Sequence, residues 1–187
     1  RPLDDAQLDR LVDRFRDRQV ICIGEASHGT SEFYRFRASL TAKLLQECEH
    51  AFVAVEGDWT DCYEVNRYVR GLSDHEDALG VLSEFDRWPT WMWANWEVQA
   101  FVRWLRAENE DRDGDSQIGF YGMDVYSLFE SMAAVIEYLD ANYPEAADRA
   151  RTAYHCFEPY GEDARAYARS TRLVPENCED EVVSVLA

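Results

Sequence analysis

Leu3, Leu8, Leu11, Val12 and Phe15 recur at helical spacing with Asp and Arg between them, which predicts an amphipathic surface helix over residues 3–17. An apolar run, Val20 to Ile23, then stops at Gly24 and predicts a first strand over about 20–24. Glu25 and His28 follow within a turn, after which Phe33, Phe36, Leu40, Leu44, Leu45 and Cys48 restore the helical period as far as His50. Ala51 to Val55 is a second apolar run that again ends in a carboxylate and a glycine, Glu56-Gly57, and predicts a strand over about 52–56. Strand, helix and strand in that order need a crossover connection, so these strands are expected to be parallel.

From Thr60 to Phe85 the pattern gives two helices broken at Gly71-Leu-Ser-Asp-His75, with a cap expected at Ser73 or Asp74. The block Trp88-Pro-Thr-Trp-Met-Trp-Ala-Asn-Trp96 leads into a helix that runs to Asn109, and Asp111 to Ser116 reads as a polar loop. Ile118 to Asp124 contains a third short strand, about 118–122, again ending in a carboxylate. Helices are expected near 127–141, 145–156 and 160–170, with Pro144 and Pro159 at their starts. The fold class is therefore α/β: a three-layer α/β/α arrangement on a parallel sheet, elaborated by a helical aromatic block over about 60–110. Three strands are fewer than a doubly wound sheet normally has, so residues 1–187 are expected to form the N-terminal part of one larger domain.

Charge narrows the partners. There are 37 acidic residues against 19 basic, a net charge of -18, and Lys43 is the sole lysine. Such a surface disfavours nucleic acid and anionic membrane, and it resembles the surface of a protein adapted to molar salt, the alternative being an acidic protein from a GC-rich genome. No apolar run is long enough to span a bilayer and no signal peptide opens the chain, so a cytoplasmic protein is expected. The five cysteines (Cys22, Cys48, Cys62, Cys156, Cys178) show no C-x-x-C spacing and are expected to be free thiols, with Cys22 buried in the first strand.

The carboxyl ends of parallel strands gather on one edge of a sheet, where ligands bind. Glu25, Glu56 and Asp124 end the three predicted strands and are expected to converge there with His28. A carboxylate that accepts an imidazole N–H fixes the tautomer and raises the basicity of the ring, whose other nitrogen can take a proton from water. Each residue also has a plainer use. Glu25 or Glu56 could cap a helix or form an ion pair, and His28 could cap the helix at Ser31. Arg37 leans back toward the N-terminus of its helix and could meet an oxyanion or a carboxylate; Arg35 competes with it on equal terms here. Trp91 and Trp93 could line a pocket for a large apolar or glycosylated ligand, or Trp93, Trp96 and Trp104 could anchor a core. Asn95 and Glu97 fit helix capping and could also reach the crevice. The chain has no H-x-x-x-H, H-E-x-x-H, G-x-G-x-x-G, P-loop or G-x-S-x-G, so neither a metal nor another cofactor is expected.

Four blocks in order resemble the erythromycin esterase family. They are Gly24-Glu-Ala-Ser-His-Gly-Thr-Ser-Glu-Phe33, Val55-Glu-Gly-Asp58, Trp91-Met-Trp-Ala-Asn-Trp-Glu97 with Trp104-Leu-Arg-Ala-Glu-Asn109, and Gly119-Phe-Tyr-Gly-Met-Asp-Val-Tyr-Ser-Leu128. The resemblance implies metal-independent hydrolysis of a carboxylic ester or lactone. His28 would be the general base, Glu25 and Glu56 active-site carboxylates, and Arg37, rather than Arg35, the essential arginine. Asp124, Trp91, Trp93, Asn95 and Glu97 would then contact a small-molecule ester or lactone. The family includes macrolide-resistance enzymes and homologues labelled as succinoglycan biosynthesis proteins, and it uses a second histidine beyond the region covered here. A non-catalytic protein that binds a glycan or macrocycle in the same crevice, and a metal-dependent hydrolase, are the alternatives.

Overall fold

The computed structural model describes residues 5–87, 89–124 and 126–160, together with 167, 169, 178, 182, 183 and 185. The chain divides into two compact units, Arg1–Asp124 and Val125–Ala187. Leu3, Trp88 and most of the helix expected over 160–170 lie outside the described residues.

In the first unit α1 (Asp5–Phe15) and α2 (Ser31–Glu47) precede β1 (Phe52–Asp58). Then α3 (Trp59–Val69), α4 (Ala78–Leu82) and α5 (Trp96–Glu110) lead to β2 (Gly119–Asp124). β1 and β2 pair in parallel, with Phe52 opposite Gly119 and Val55 opposite Gly122. The class is α/β, helix-rich around a small sheet. The register slips between Val55 and Asp58, where β1 carries one residue more than β2. β1 thus ends at Asp58 rather than near Glu56, and Asp58, not Glu56, is the partner of Asp124.

The strand expected at 20–24 does not form. Ile21 and Ile23 turn inward onto Leu8, Val12, Leu40 and Leu44 of α1 and α2, while Val20 and Cys22 face solvent. The two-residue alternation of a strand is present, but among the described residues β1 pairs with β2 alone. An apolar pattern supplies a face; a strand needs a neighbour for its N–H and C=O groups as well. Cys22 is accordingly exposed rather than buried.

The principal core lies between the sheet and α3–α5: Val55, Cys62, Val65, Val69, Val81, Val102, Leu105, Ile118 and Phe120 are packed together with Tyr34 and Trp93. Each large apolar side chain buried there contributes about 1.5–3 kcal/mol. Two buried asparagines bind this core to β2. Asn109 accepts from the Ile118 N–H at 2.8 Å and donates to the Val69 and Ile118 carbonyls, and Asn66 accepts from the Phe120 N–H at 3.0 Å. The break after α3 falls where the sequence places it, but the cap of α4 is Asp77, which accepts from the Gly80 N–H at 2.8 Å. Ser73 instead accepts from the His75 N–H in a local turn.

The second unit contains α6 (Leu128–Asn142) and α7 (Pro144–Tyr154), the latter with Pro144 in its first turn and Ala147, Ala150 and Ala153 buried along one stripe. Pro159 lies inside a 3₁₀ segment, His155–Tyr160, rather than at a helix start. Cys156 and Cys178 form a disulfide, which corrects the expectation of five free thiols. Their Cα atoms are 5.9 Å apart although 22 positions separate them, a proximity created by the tertiary fold that no local spacing announces.

Candidate active site

The turn before α2 is built on side chains. Gly29 takes φ +79, a left-handed conformation that other residues rarely adopt, and a Cβ there would lie 2.9 Å from the Trp91 ring. The Gly29 N–H donates to the Tyr34 hydroxyl at 3.4 Å, and the Ser27 and Thr30 hydroxyls are bonded to each other at 2.9 Å. The turn folds Glu25 back beneath His28. His28 Nδ1 lies 2.6 Å from Glu25 Oε1, and Arg37 Nη1 donates to Glu25 Oε2 at 3.1 Å.

Exposure gives this relay a direction. The Glu25 side chain is 10% exposed, Arg37 22% and His28 44%, so the carboxylate is interior and the imidazole faces solvent. A buried carboxylate acceptor selects the tautomer with the proton on Nδ1, which leaves a lone pair on the outward Nε2. The choice between Arg35 and Arg37 is made by geometry: Arg37 is bonded to Glu25, whereas Arg35 is exposed beside the groove between α2 and α5.

The aromatic block holds this arrangement from the side. Trp91 is 45% exposed and covers Gly29. Trp93 is buried and donates its indole N–H to the Glu56 carbonyl at 2.8 Å. Asn95 caps α5, accepting from the Val98 N–H at 2.9 Å and donating to the Trp91 and Met92 carbonyls. Glu97 accepts the Ser31 hydroxyl and so joins the first turns of α2 and α5. Of the four residues expected to meet substrate here, Trp93, Asn95 and Glu97 have these internal partners, and Trp91 presents a ring to solvent.

At the end of the sheet Asp58 is buried with Arg87 Nε 3.6 Å away, Glu56 is exposed on β1, and Asp124 closes β2. Burial pushes the Asp124 carboxyl above its ordinary range, and the negative charges of Glu56 and Asp58 push it the same way. Cys62, packed beneath Gly57, is pushed up to about 12 by burial first and then by Asp61, Asp58 and Asp124. It is a buried thiol with no path to a thiolate at neutral pH.

Sequence reasoning missed Tyr34 and Asp58 as parts of this region. The helical stripe read from the sequence starts at Phe33 and omits Tyr34, whereas in the structure Phe33 is exposed and Tyr34 is buried with its hydroxyl on the Gly29 N–H. Asp58 was legible as a second acid after the β1 run, but its pairing with Asp124 depends on the bulge. Among the described residues no three of His, Cys, Asp and Glu are placed to hold a metal ion, and no helix is long and apolar enough to cross a membrane.

Two solved structures share this fold. The crystal structure of a succinoglycan biosynthesis protein matches 98% of this chain and 44% of its own, at 21% identity and a TM-score of 0.73. A Bacillus cereus protein matches 77% of this chain and 33% of its own, at 23% identity and a TM-score of 0.59. The chain thus spans less than half the length of either structure. The erythromycin esterase family model matches residues 45–187, a stretch that includes Glu56, the aromatic block and Asp124 and starts after the Glu25–His28 turn. On a match over most of its length, this chain belongs to the erythromycin esterase family.

Proposed function

We propose that the protein hydrolyses carboxylic esters or lactones with water activated by His28. The observation that supports this reading most directly is the His28–Glu25–Arg37 relay, in which a buried carboxylate orients an exposed imidazole. Water gives a proton to His28 Nε2 as its oxygen attacks the carbonyl carbon. The tetrahedral oxyanion then collapses, the bond from carbon to the leaving oxygen breaks, and His28 returns the proton to that oxygen. A carboxylic acid and an alcohol result, joined in one molecule when the substrate is a lactone.

Glu25 stabilises the imidazolium as it forms. Glu56 orients the attacking water, Arg37 contributes positive charge to the oxyanion, and Asp124 with the Trp91 ring contacts substrate. The family points to a macrolide among the candidate lactones. The strongly acidic surface points to assay in molar salt, in keeping with a protein adapted to such conditions.

The test is mass-spectrometric detection of water addition to a panel of erythromycin and simple lactones, using the full-length protein in molar salt. His28→Ala is expected to lower turnover by about 100-fold to 10,000-fold. Equal turnover by a folded His28→Ala variant, or no water addition by the wild type to any member of the panel, would overturn the reading.

A further inference from the structure

Arg37 belongs to α2, and its guanidinium is held by two further segments as well as by its own helix. Its Nη1 reaches Glu25 in the turn, and its Cζ lies 4.8 Å from the centre of the Tyr34 ring and 5.1 Å from that of Trp93. Such distances are those of a cation over an aromatic face, an attraction that strengthens as water is excluded. Both rings are themselves pinned. Tyr34 is 4% exposed and accepts the Gly29 N–H; Trp93 is 7% exposed and donates to the Glu56 carbonyl. Burial pushes the Tyr34 hydroxyl up, so the ring stays neutral beside Glu25. Trp93 is also wedged against β1, since a Cβ on Gly57 would lie 3.0 Å from its indole nitrogen.

The rings therefore connect the His28 turn to the bulge of β1 through one cation. An arginine side chain left in solvent samples many rotamers; set over two fixed rings it keeps one pose. We propose that Tyr34 and Trp93 are positioning residues whose faces hold the Arg37 guanidinium against Glu25, which in turn holds the His28 N–H and fixes the imidazole tautomer. The inference rests on the reading of His28 as the base for its catalytic meaning, but the tautomer itself can be observed without turnover. It also gives Trp93 a role other than substrate contact, in keeping with its burial.

The experiment uses full-length protein labelled with ¹⁵N-histidine, in which ring nitrogen shifts report where the proton sits; the His28 signals are those lost in His28→Gln. With the imidazole neutral, wild-type His28 is expected chiefly as the Nδ1–H form. Tyr34→Leu and Trp93→Leu are each expected to convert it to a mixture with the Nε2–H form. In the ester panel they should lower kcat by about 10-fold to 100-fold, with KM within about threefold. Trp93→Phe and Tyr34→Phe, which keep an aromatic face, are expected to recover the tautomer and most of the turnover.

Thermal melts show which variants are folded, and the Phe pair carries the comparison if a Leu variant is not. A Phe variant that loses the Nδ1–H form overturns the proposal, as does a folded Leu variant that keeps it, or a wild type that lacks it. If the wild type turns over no ester while its tautomer follows the rings as stated, positioning stands and the hydrolase reading falls, so the two can fail separately.

Discussion

The turn that carries Glu25 and His28 and the strand that carries Glu56 occupy the same unit, but they are held in different ways. β1 is fixed by backbone bonds to β2 and by the apolar core behind it, with Val55 buried and Trp93 closing over Glu56 and Gly57. The turn is fixed through side chains: Arg37 and His28 on Glu25, Tyr34 on Gly29, Trp91 over Gly29 and Glu97 on Ser31. A ladder resists change at any one side chain because its bonds belong to the main chain. A relay of side chains depends on the Glu25 contacts with His28 and Arg37, so its chemistry should be lost well before its fold. The difference separates residues that carry stability from residues that carry the proposed activity.

The largest effect is expected at the ladder. A Cβ on Gly122 would lie 2.6 Å from the Asp58 carbonyl oxygen and still closer to that of Gly57, and main chain cannot swing aside as a side-chain tip does. Gly122→Ala should cost about 3 kcal/mol or more, visible in urea denaturation as a lower midpoint. An unchanged midpoint would mean that β1 and β2 are not as closely bound as described.

At the turn the balance should reverse. Gly29→Ala places a side chain at φ +79 against Trp91, with a stability cost of about 1–2 kcal/mol. The displaced His28 should lose about 10-fold to 100-fold in kcat on any ester that the wild type hydrolyses. Full turnover in this variant would show that the turn tolerates movement and would weaken the contrast.

Asp124 tests the strand end more gently. Its folded pKa is raised above the ordinary value of 3.8, so its contribution to stability is fully present below that value and is lost as pH rises through the folded value. At neutral pH ionised Asp124 is partly withdrawn from water and also faces Glu56 and Asp58, a cost that Asp124→Asn removes. Tm should rise by about 1–3 °C at pH 7 and stay unchanged near pH 3. A fall at pH 7 would mean that the carboxylate has a favourable partner outweighing the cost of burial and repulsion.

The smallest perturbation is chemical labelling. Cys22, exposed on the unpaired segment, should react with a thiol reagent at the rate of an open cysteine. Cys62, buried beneath β1 and pushed up to about 12, should react only as the protein unfolds. Peptide mapping after partial labelling distinguishes them, and equal rates would remove the difference between the two segments.

Much of the candidate site was legible from residue order. Glu25 and His28 are three positions apart in a turn entering a helix, and Asn95 precedes an apolar period as a cap should. The likeness between 20–24 and 52–58 was legible as well, and there it misled: both runs alternate or bury apolar groups, but hydrogen-bond partners for the main chain are not written in either run. Asp77 was passed over as the α4 cap because Ser73 and Asp74 have the same chemistry, and the true helix start depends on how Ala78, Val81 and Leu82 meet the core.

The sequence by itself determined what depends on near neighbours: amphipathic helices, the Asn95 cap, the acidic surface, and a carboxylate and an imidazole within one turn. Tertiary structure decided what depends on distant ones. It placed Arg37 rather than Arg35 on Glu25, aligned Asp58 with Asp124 across a bulge, brought Cys156 to Cys178, and set the Trp93 ring over the guanidinium that Tyr34 neighbours within α2. The physical reason is range. Helical period and capping act over three or four residues, whereas strand pairing and the contact of Arg37 with Trp93 join groups tens of residues apart, and only the packed core fixes their distance.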